Sequence, residues 1–244
     1  MVDGAGAGNP SDTPTALARQ LLERVRREES TTSCLQALAG LHERDLERVR
    51  NDRHHALAFW LNLYNSGTQL LLQDRPELFD SRWRFFSTPA ITVAGVSLSL
   101  DDIEHGILRA RRSKYGFGYA PRLARTGLGA AYHLEPEPRI HFALNCGAAG
   151  CPAILAYRPE TVEETLEDAT RSFLSQSVRY DPDRDRVSVP RVCLWFLGDF
   201  GGLSGLRSFL TRYEHIPTDS APSIRFQGYD WTSAPRRFAD EFHH

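Results

Sequence analysis

Apolar residues recur at three- and four-residue intervals through the first fifty positions. Leu17, Leu21, Leu22 and Val25, entered behind Pro14, predict an amphipathic helix over 15–29. Leu35, Leu38, Leu41 and Leu46 predict a second over 32–49. The third segment, "DRHHALAFWLNLYNSGTQLLLQD" (52–74), differs in kind. Asp52 is a good N-cap, yet the helix is apolar nearly all round, so it belongs in the middle of a core. Asn62 and Asn65 then lie inside it at i, i+3, on one face. Buried amides need partners, so they either anchor a neighbouring loop or face a pocket.

Further on, "ITVAGVSLSL" (91–100) alternates around Ala94-Gly95, a hairpin signal. "LDDIEHGILRARR" predicts a short helix capped by Asp101 or Asp102. Residues 113–138 mix glycines, prolines and aromatics and predict a long irregular loop, a kind often functional. A strand is expected over 140–144, a helix over 161–174 and a hairpin across "PDRD". Helical stretches at 193–200 and 203–214 are split by Gly201-Gly202, and 223–231 is extended. The sum is an α+β single domain with an N-terminal helical layer, a buried central helix and a small sheet of short strands. Its expected divisions are a disordered leader over 1–14, a helical segment over 15–50, the main domain over 51–232 and a tail over 233–244.

Charge narrows the partners. Lys and Arg number 29 against 31 Asp and Glu, a net −2, which gives no electrostatic case for nucleic acid or an anionic membrane. No apolar run reaches the roughly 18 residues of a membrane span, and the first residues lack the basic and apolar regions of a signal peptide. Four scattered cysteines are too few for a disulfide scaffold, so the expected compartment is the cytoplasm. The expected partner is a small-molecule or peptide-like substrate, and the oligomeric state stays open.

The chemistry concentrates in "RIHFALNCGAAGCPAI" (139–154). On a strand, His141, Ala143 and Asn145 share one face while Phe142, Leu144 and Cys146 share the other, so His141 and Cys146 do not pair. Cys151 lies beyond the turn. If a helix follows it, free N–H groups favour its thiolate, and the N–H groups of Gly147 to Gly150 offer an oxyanion hole. Glu104 and His105, adjacent on a helix, point about 100° apart, so one faces a pocket while the other makes a structural bond. Three readings follow. In the first, Cys151, ranked slightly ahead of Cys146, is the nucleophile of an acyl or amide hydrolase or transferase. His105 is its general base, oriented by Glu104 or Asn65, and Tyr115, Phe117 and Tyr119 contact substrate. No cofactor is needed. In the second, His141, Cys146 and Cys151, spaced H-x4-C-x4-C and joined by His105 or Glu104, ligate zinc. In the third, the domain is a non-catalytic interaction module. Cys34 and Cys193 are expected to pack.

"AFWLNLYN", "SLSLDDIEHGILR", "PRIHFALNCGAAGCPAI" and "CLWFLGDFG" resemble, in this order, the landmarks of the DUF547 family, a domain of unknown function found in bacteria and plants. The resemblance runs over about 50–214 and implies that these blocks form one domain. It marks Asn62, Asn65, Glu104, His105, Arg139, His141, Cys146, Cys151, Pro152, Asp199 and Phe200 as landmark positions. The 113–138 loop lies outside the resemblance; with that loop and the glycine turn added, Asn62, Arg139, Gly147, Gly150, Tyr115 and Tyr119 are expected around a substrate, and His141 joins the catalytic candidates. One departure is Gly150, where the family often carries serine.

Overall fold

A computed structural model describes residues 13–110, 112–121 and 134–239. Residues 1–12 of the expected leader, the centre of the long loop with His133, and the last five residues lie outside the described residues; the leader's last two residues, Thr13 and Pro14, instead cap and begin the first helix.

Helix α4 (Arg53–Asp74) is the axis of the molecule. Asp52 caps it, accepting from the N–H groups of His54 at 2.9 Å and His55 at 3.2 Å. Every residue from His55 to Gln69 is buried, so the helix is wrapped on all sides, as its uniform apolarity requires. Each fully buried large side chain on it, such as Phe59 or Trp60, contributes about 1.5–3 kcal/mol. The N-terminal layer packs along it. α1 (Pro14–Arg27), capped by Thr13, buries Ala18, Leu21, Leu22 and Val25, and Thr15 Oγ1 meets His55 Nδ1 at 3.1 Å.

The expected second helix is broken. α2 (Thr32–Ala39) stops at Gly40, a 3-10 turn runs over Glu43–Leu46, and α3 (Glu47–Asn51) completes the segment. The reason is local. Gly40 ends α2, and the side chains of His42 and Asp45 build a new capping box that starts a second helical unit.

α5 (Arg82–Ser87) leads into the hairpin of β1 (Pro89–Val93) and β2 (Val96–Ser99). Ala94 and Gly95 both have positive φ, the type I′ requirement their sequence announced. α6 (Leu100–Ile103) follows, capped by Ser99 in a box with Asp102 rather than by Asp101 or Asp102. It continues as one π-helical turn over Glu104–Leu108, in which the Arg109 N–H reaches the Glu104 carbonyl at 2.8 Å.

The expected strand over 140–144 is a 3-10 helix, Pro138–Phe142. Pro138 sets the helical φ at its first turn, and the Glu137 side chain accepts from the Arg139 N–H. Alternation of face therefore does not govern His141 and Cys146.

The second half holds α7 (Val162–Ser177), the hairpin β3 (Arg179–Asp181) and β4 (Arg186–Val189), α8 (Val192–Trp195), α9 (Gly202–Arg212) and β5 (Ser223–Phe226). β5 lies parallel to β4, closing a three-stranded sheet in the order β3-β4-β5. Two buried clusters result: a large one around α4, and a smaller one under this sheet, built on Val187, Val189, Leu206 and Leu210. The fold is α+β, one domain with an N-terminal helical layer, a buried central helix and small sheets of short strands. Among the described residues no helix is long and apolar enough to cross a membrane.

Candidate active site

Three buried asparagines place the cysteine turn. Asn65 donates to the Ala143 carbonyl at 3.1 Å and accepts from the Asn145 N–H at 2.9 Å. Asn145 in turn donates to the Pro152 carbonyl at 2.6 Å and accepts from the Gly147 N–H at 2.9 Å. Asn62 holds both the N–H and the carbonyl of Tyr157. Asn62 and Asn65 thus spend their amides on backbone and tie the loop to α4.

From the other side, residues 229–239 form a strap over the same turn. The N–H of Ala149 donates to the Thr232 carbonyl at 2.8 Å, that of Gly150 to Asp230 at 3.0 Å, and that of Ala234 to Gly147 at 2.8 Å. Ile154 and Ala239 add further rungs, so the described part of the expected tail is laid against the turn. Two glycines permit this. Gly147 has φ +87°, and a Cβ there would meet Leu72 at 2.5 Å. At Gly150 a Cβ would press on the Tyr229 ring at 3.1 Å and on the Asp230 carbonyl at 3.2 Å. The strap therefore lies close against Gly150.

The turn is not an oxyanion hole. Gly147, Ala149 and Gly150 have spent their N–H groups as described, and the Cys146 N–H points at Cys151 Sγ, 2.9 Å away. No helix follows Cys151; Pro152 leads into extended chain. The turn instead cradles sulfur. Tyr229 Oη lies 3.1 Å from each of Cys146 Sγ and Cys151 Sγ. Burial pushes the Cys151 thiol up, but hydrogen bonds from the Cys146 thiol, Tyr229 and the N–H groups of Ala148 and Cys146 outweigh it and bring it down to about 7. The hydrogen bond to Cys151, then burial, push Cys146 up. The pair shares one proton and titrates as a unit. Cys151 is 3% exposed, whereas Cys146 is half-buried and opens on a cleft of about 510 Å³.

That cleft is walled by Trp83, Phe86, Phe117, Trp195, Phe196 and Trp231, with Tyr64, Glu104, His105, His141 and Cys146 also on its lining. The π turn brings both Glu104 and His105 to it, contrary to the expectation that only one would face a pocket. Burial pushes the Glu104 carboxyl up to about 7, against the pull of Arg109. Tyr64 Oη donates to Glu104 Oε2 at 3.1 Å; burial, with the charges of Glu104 and both cysteines, holds its own proton firmly in place. Arg109 can only donate, so its Nη1, 2.9 Å from His105 Nδ1, makes that nitrogen the acceptor. The His105 proton is then on Nε2, 3.5 Å from Asp101 Oδ1. This tautomer is a donor, not the free base expected of His105.

A second polar centre stands beside the first. Asp199 accepts from Arg109 Nε at 2.6 Å and Nη2 at 3.1 Å, from Arg112 at 3.2 Å and from His141 Nε2 at 2.9 Å. Burial alone would raise its pKa; these donors instead hold it far below the usual carboxylate range. Burial keeps His141 below its ordinary value, and its ring stacks on Phe196 at 4.2 Å.

Of the expected substrate contacts, Tyr115 and Gly150 line the cleft. Tyr119 is exposed and is not on the lining. Arg139 is turned away into an ion cluster with Glu137 and Glu163. Cys34 and Cys193 are buried in the two cores. Among the described residues no three His, Cys, Asp or Glu side chains are grouped to hold a metal ion, and His105 and His141 have the partners just given. Sequence reasoning missed Asn145, Arg109, Tyr64 and Tyr229. Only Tyr229 carried a local signal, in the aromatic run "QGYDW" behind a glycine.

The family model described as "Protein of unknown function, DUF547" matches residues 49–174, just over half of the chain, and the chain belongs to that family. Asp199 and Tyr229 lie beyond the matched span. No curated protein and no solved structure matches the chain.

Proposed function

We propose that this member of the DUF547 family is a cysteine-dependent hydrolase or acyl or amide transferase acting on a small-molecule or peptide-like substrate, with Cys146 as the attacking thiol. One observation carries the reading: the Cys146 thiol opens on an aromatic-walled cleft that also presents Glu104, while Cys151 behind it shares its proton. The strand geometry that favoured Cys151 is gone, and Cys151 lacks exposure.

The chemistry assigned to the residues is as follows. With one proton gone from the pair, the charge moves onto Cys146 as Cys151 takes the remaining proton, and Cys146 attacks the substrate carbonyl carbon. As its sulfur bonds to that carbon, the Tyr229 hydroxyl loses that acceptor and is available to the oxygen of the tetrahedral adduct, which collapses to the thioester as the bond to the leaving group breaks. Glu104, which keeps its proton up to about neutrality, protonates the leaving group. Its carboxylate then takes a proton from the water or other acceptor that cleaves the thioester. Tyr64 orients Glu104 throughout. The aromatic wall selects substrates with an apolar or aromatic acyl part. A reducing compartment such as the cytoplasm keeps both thiols available.

The test is a panel of aryl and alkyl nitrophenyl esters, thioesters and anilides, read by chromophore release and by intact mass for an acyl adduct. Wild type is expected to turn over members with an aromatic acyl group and to carry the adduct on Cys146. Cys146→Ala is expected to lose on the order of 10³-fold or more while remaining folded. A fully active Cys146→Ala protein would sink the reading.

A further inference from the structure

We propose that Cys146 and Cys151 are a redox pair that closes to an intramolecular disulfide, and that closure releases Tyr229 and loosens the C-terminal strap. Both sulfurs lie 3.1 Å from one hydroxyl, and the N–H of one cysteine points at the sulfur of the other at 2.9 Å. Four residues separate them, and the positive φ of Gly147 makes the turn that folds them together. The other two cysteines are 2% and 0% exposed in the cores and do not compete.

The unequal exposure sets the order of events. Cys146, at the cleft, meets the oxidant first; Cys151, 3% exposed behind it, resolves the product. With a hydroperoxide as oxidant, the Cys146 thiolate attacks the distal oxygen. The O–O bond breaks, a sulfenic acid forms, and the other oxygen leaves as alcohol or water after taking a proton. The Cys151 thiolate then attacks the sulfenic sulfur, the S–O bond breaks, and hydroxide leaves as water with a second proton. Two electrons pass from the two sulfurs to the peroxide, and a dithiol reductant returns them.

The disulfide has no charge and no S–H. Tyr229 then loses the acceptor it donates to, and the Cys146 N–H loses the thiolate that received it. Tyr229 begins the strap that Ala149, Gly150 and Ala234 pin to the turn, so oxidation reaches residues 229–239 through one hydroxyl. The disulfide needs nothing from the acyl-transfer reading; that closure also consumes the attacking thiol and stops that activity is the one consequence that rests on it.

The test treats the full chain with hydrogen peroxide, caps remaining thiols by alkylation, and maps the masses. Wild type is expected to lose two hydrogens within the peptide holding Cys146 and Cys151, reversibly with dithiothreitol. Cys151→Ser is expected to stop at an oxygenated Cys146, and Cys146→Ser to leave Cys151 unoxidised. Hydrogen exchange over 229–239 is expected to be faster in the oxidised protein, and Tyr229→Phe to raise it before oxidation. Two alkylatable thiols after peroxide, a sulfinic acid on wild-type Cys146, or a disulfide between chains would each overturn the pair. An unchanged strap would overturn the coupling. A disulfide in a protein that turns over no acyl substrate leaves this inference standing and removes the proposed function; an acyl adduct without a disulfide does the reverse.

Discussion

Two buried polar centres reach the cleft, one through His141 and the other through Cys146, and they are built on opposite terms. Asp199 is saturated: three side chains give it four hydrogen bonds, two of those side chains are permanently charged, and its proton is gone at any working pH. The thiol pair is undersupplied. It has one hydroxyl and backbone N–H groups; its first proton is lost near neutrality, and the two sulfurs share the one that remains. A saturated buried charge has no free-energy reason to change state, so it serves as a brace. A pair poised between states serves as the reactive end. His141 and Arg109 belong to the brace, although His141 lines the same cleft.

The largest effect on stability therefore belongs to Asp199. Asp199→Ala leaves the fully buried Arg109 guanidinium without its counter-charge, a loss of about 3–5 kcal/mol by urea unfolding at neutral pH. The sign with pH follows from the lowered carboxyl. Its stabilisation is fully present above the ordinary value of 3.8 and is lost as pH falls below it toward the folded value, so wild type has an acid limb that the variant lacks. Cys146→Ala, measured alongside, is expected to move the unfolding midpoint little. If Asp199→Ala is as stable as wild type, the division into brace and reactive end fails.

Glu104 sharpens the comparison, because it lies between the two centres and titrates like the thiols. Under the proposed chemistry the rate rises as the pair loses its first proton and falls as Glu104 loses its own, both at about 7, giving a narrow bell. Glu104→Gln is expected to cost about 10²-fold and to turn the bell into a rising plateau. Its effect on folding has the opposite sign to that of Asp199. The folded chain holds a proton that the unfolded chain releases between 4.5 and about 7, so this group lowers stability as pH rises through that window. The glutamine variant removes that fall. A bell that survives the substitution unchanged would move the acid to another residue.

The sequence carried what is local and missed what is distant. Asp52 and an all-round apolar segment announce α4, and Ala94-Gly95 announces the hairpin, because caps and turns are set by neighbouring residues. Residues 140–144 misled for the same reason. A five-residue run that is apolar but for His141 fits a strand and a 3-10 turn equally well, and the choice fell to Pro138 and the Glu137 cap. The π turn had no signal, since one extra residue in a helix changes which faces meet but not the composition. His141 finds Asp199 58 positions on, and Cys146 finds Tyr229 83 positions on. Those pairings exist only once both cores have formed.

Asn65 tests how the brace extends to the turn. Asn65→Ala orphans the buried Ala143 carbonyl and the Asn145 N–H, at about 1–3 kcal/mol. It is also expected to raise the alkylation rate of Cys151 by freeing the turn to open. Loss of stability with Cys151 still protected would mean that the strap alone holds the turn.

The smallest expected effect is the most specific to the reactive end. Tyr229→Phe keeps the ring against Trp195 at 4.9 Å and Trp231 at 4.7 Å, and removes only the hydroxyl. Burial of the ring is retained, so the unfolding midpoint should stay close to that of wild type. The thiolate loses one donor, about 1 kcal/mol, which raises the pH at which the pair becomes alkylatable by somewhat under one unit. The acid limb set by Asp199 should not move at all, since Tyr229 touches none of its donors. An alkylation midpoint that stays put would show that the backbone N–H groups of Cys146 and Ala148 hold the charge unaided, and would detach the strap from the chemistry of the pair.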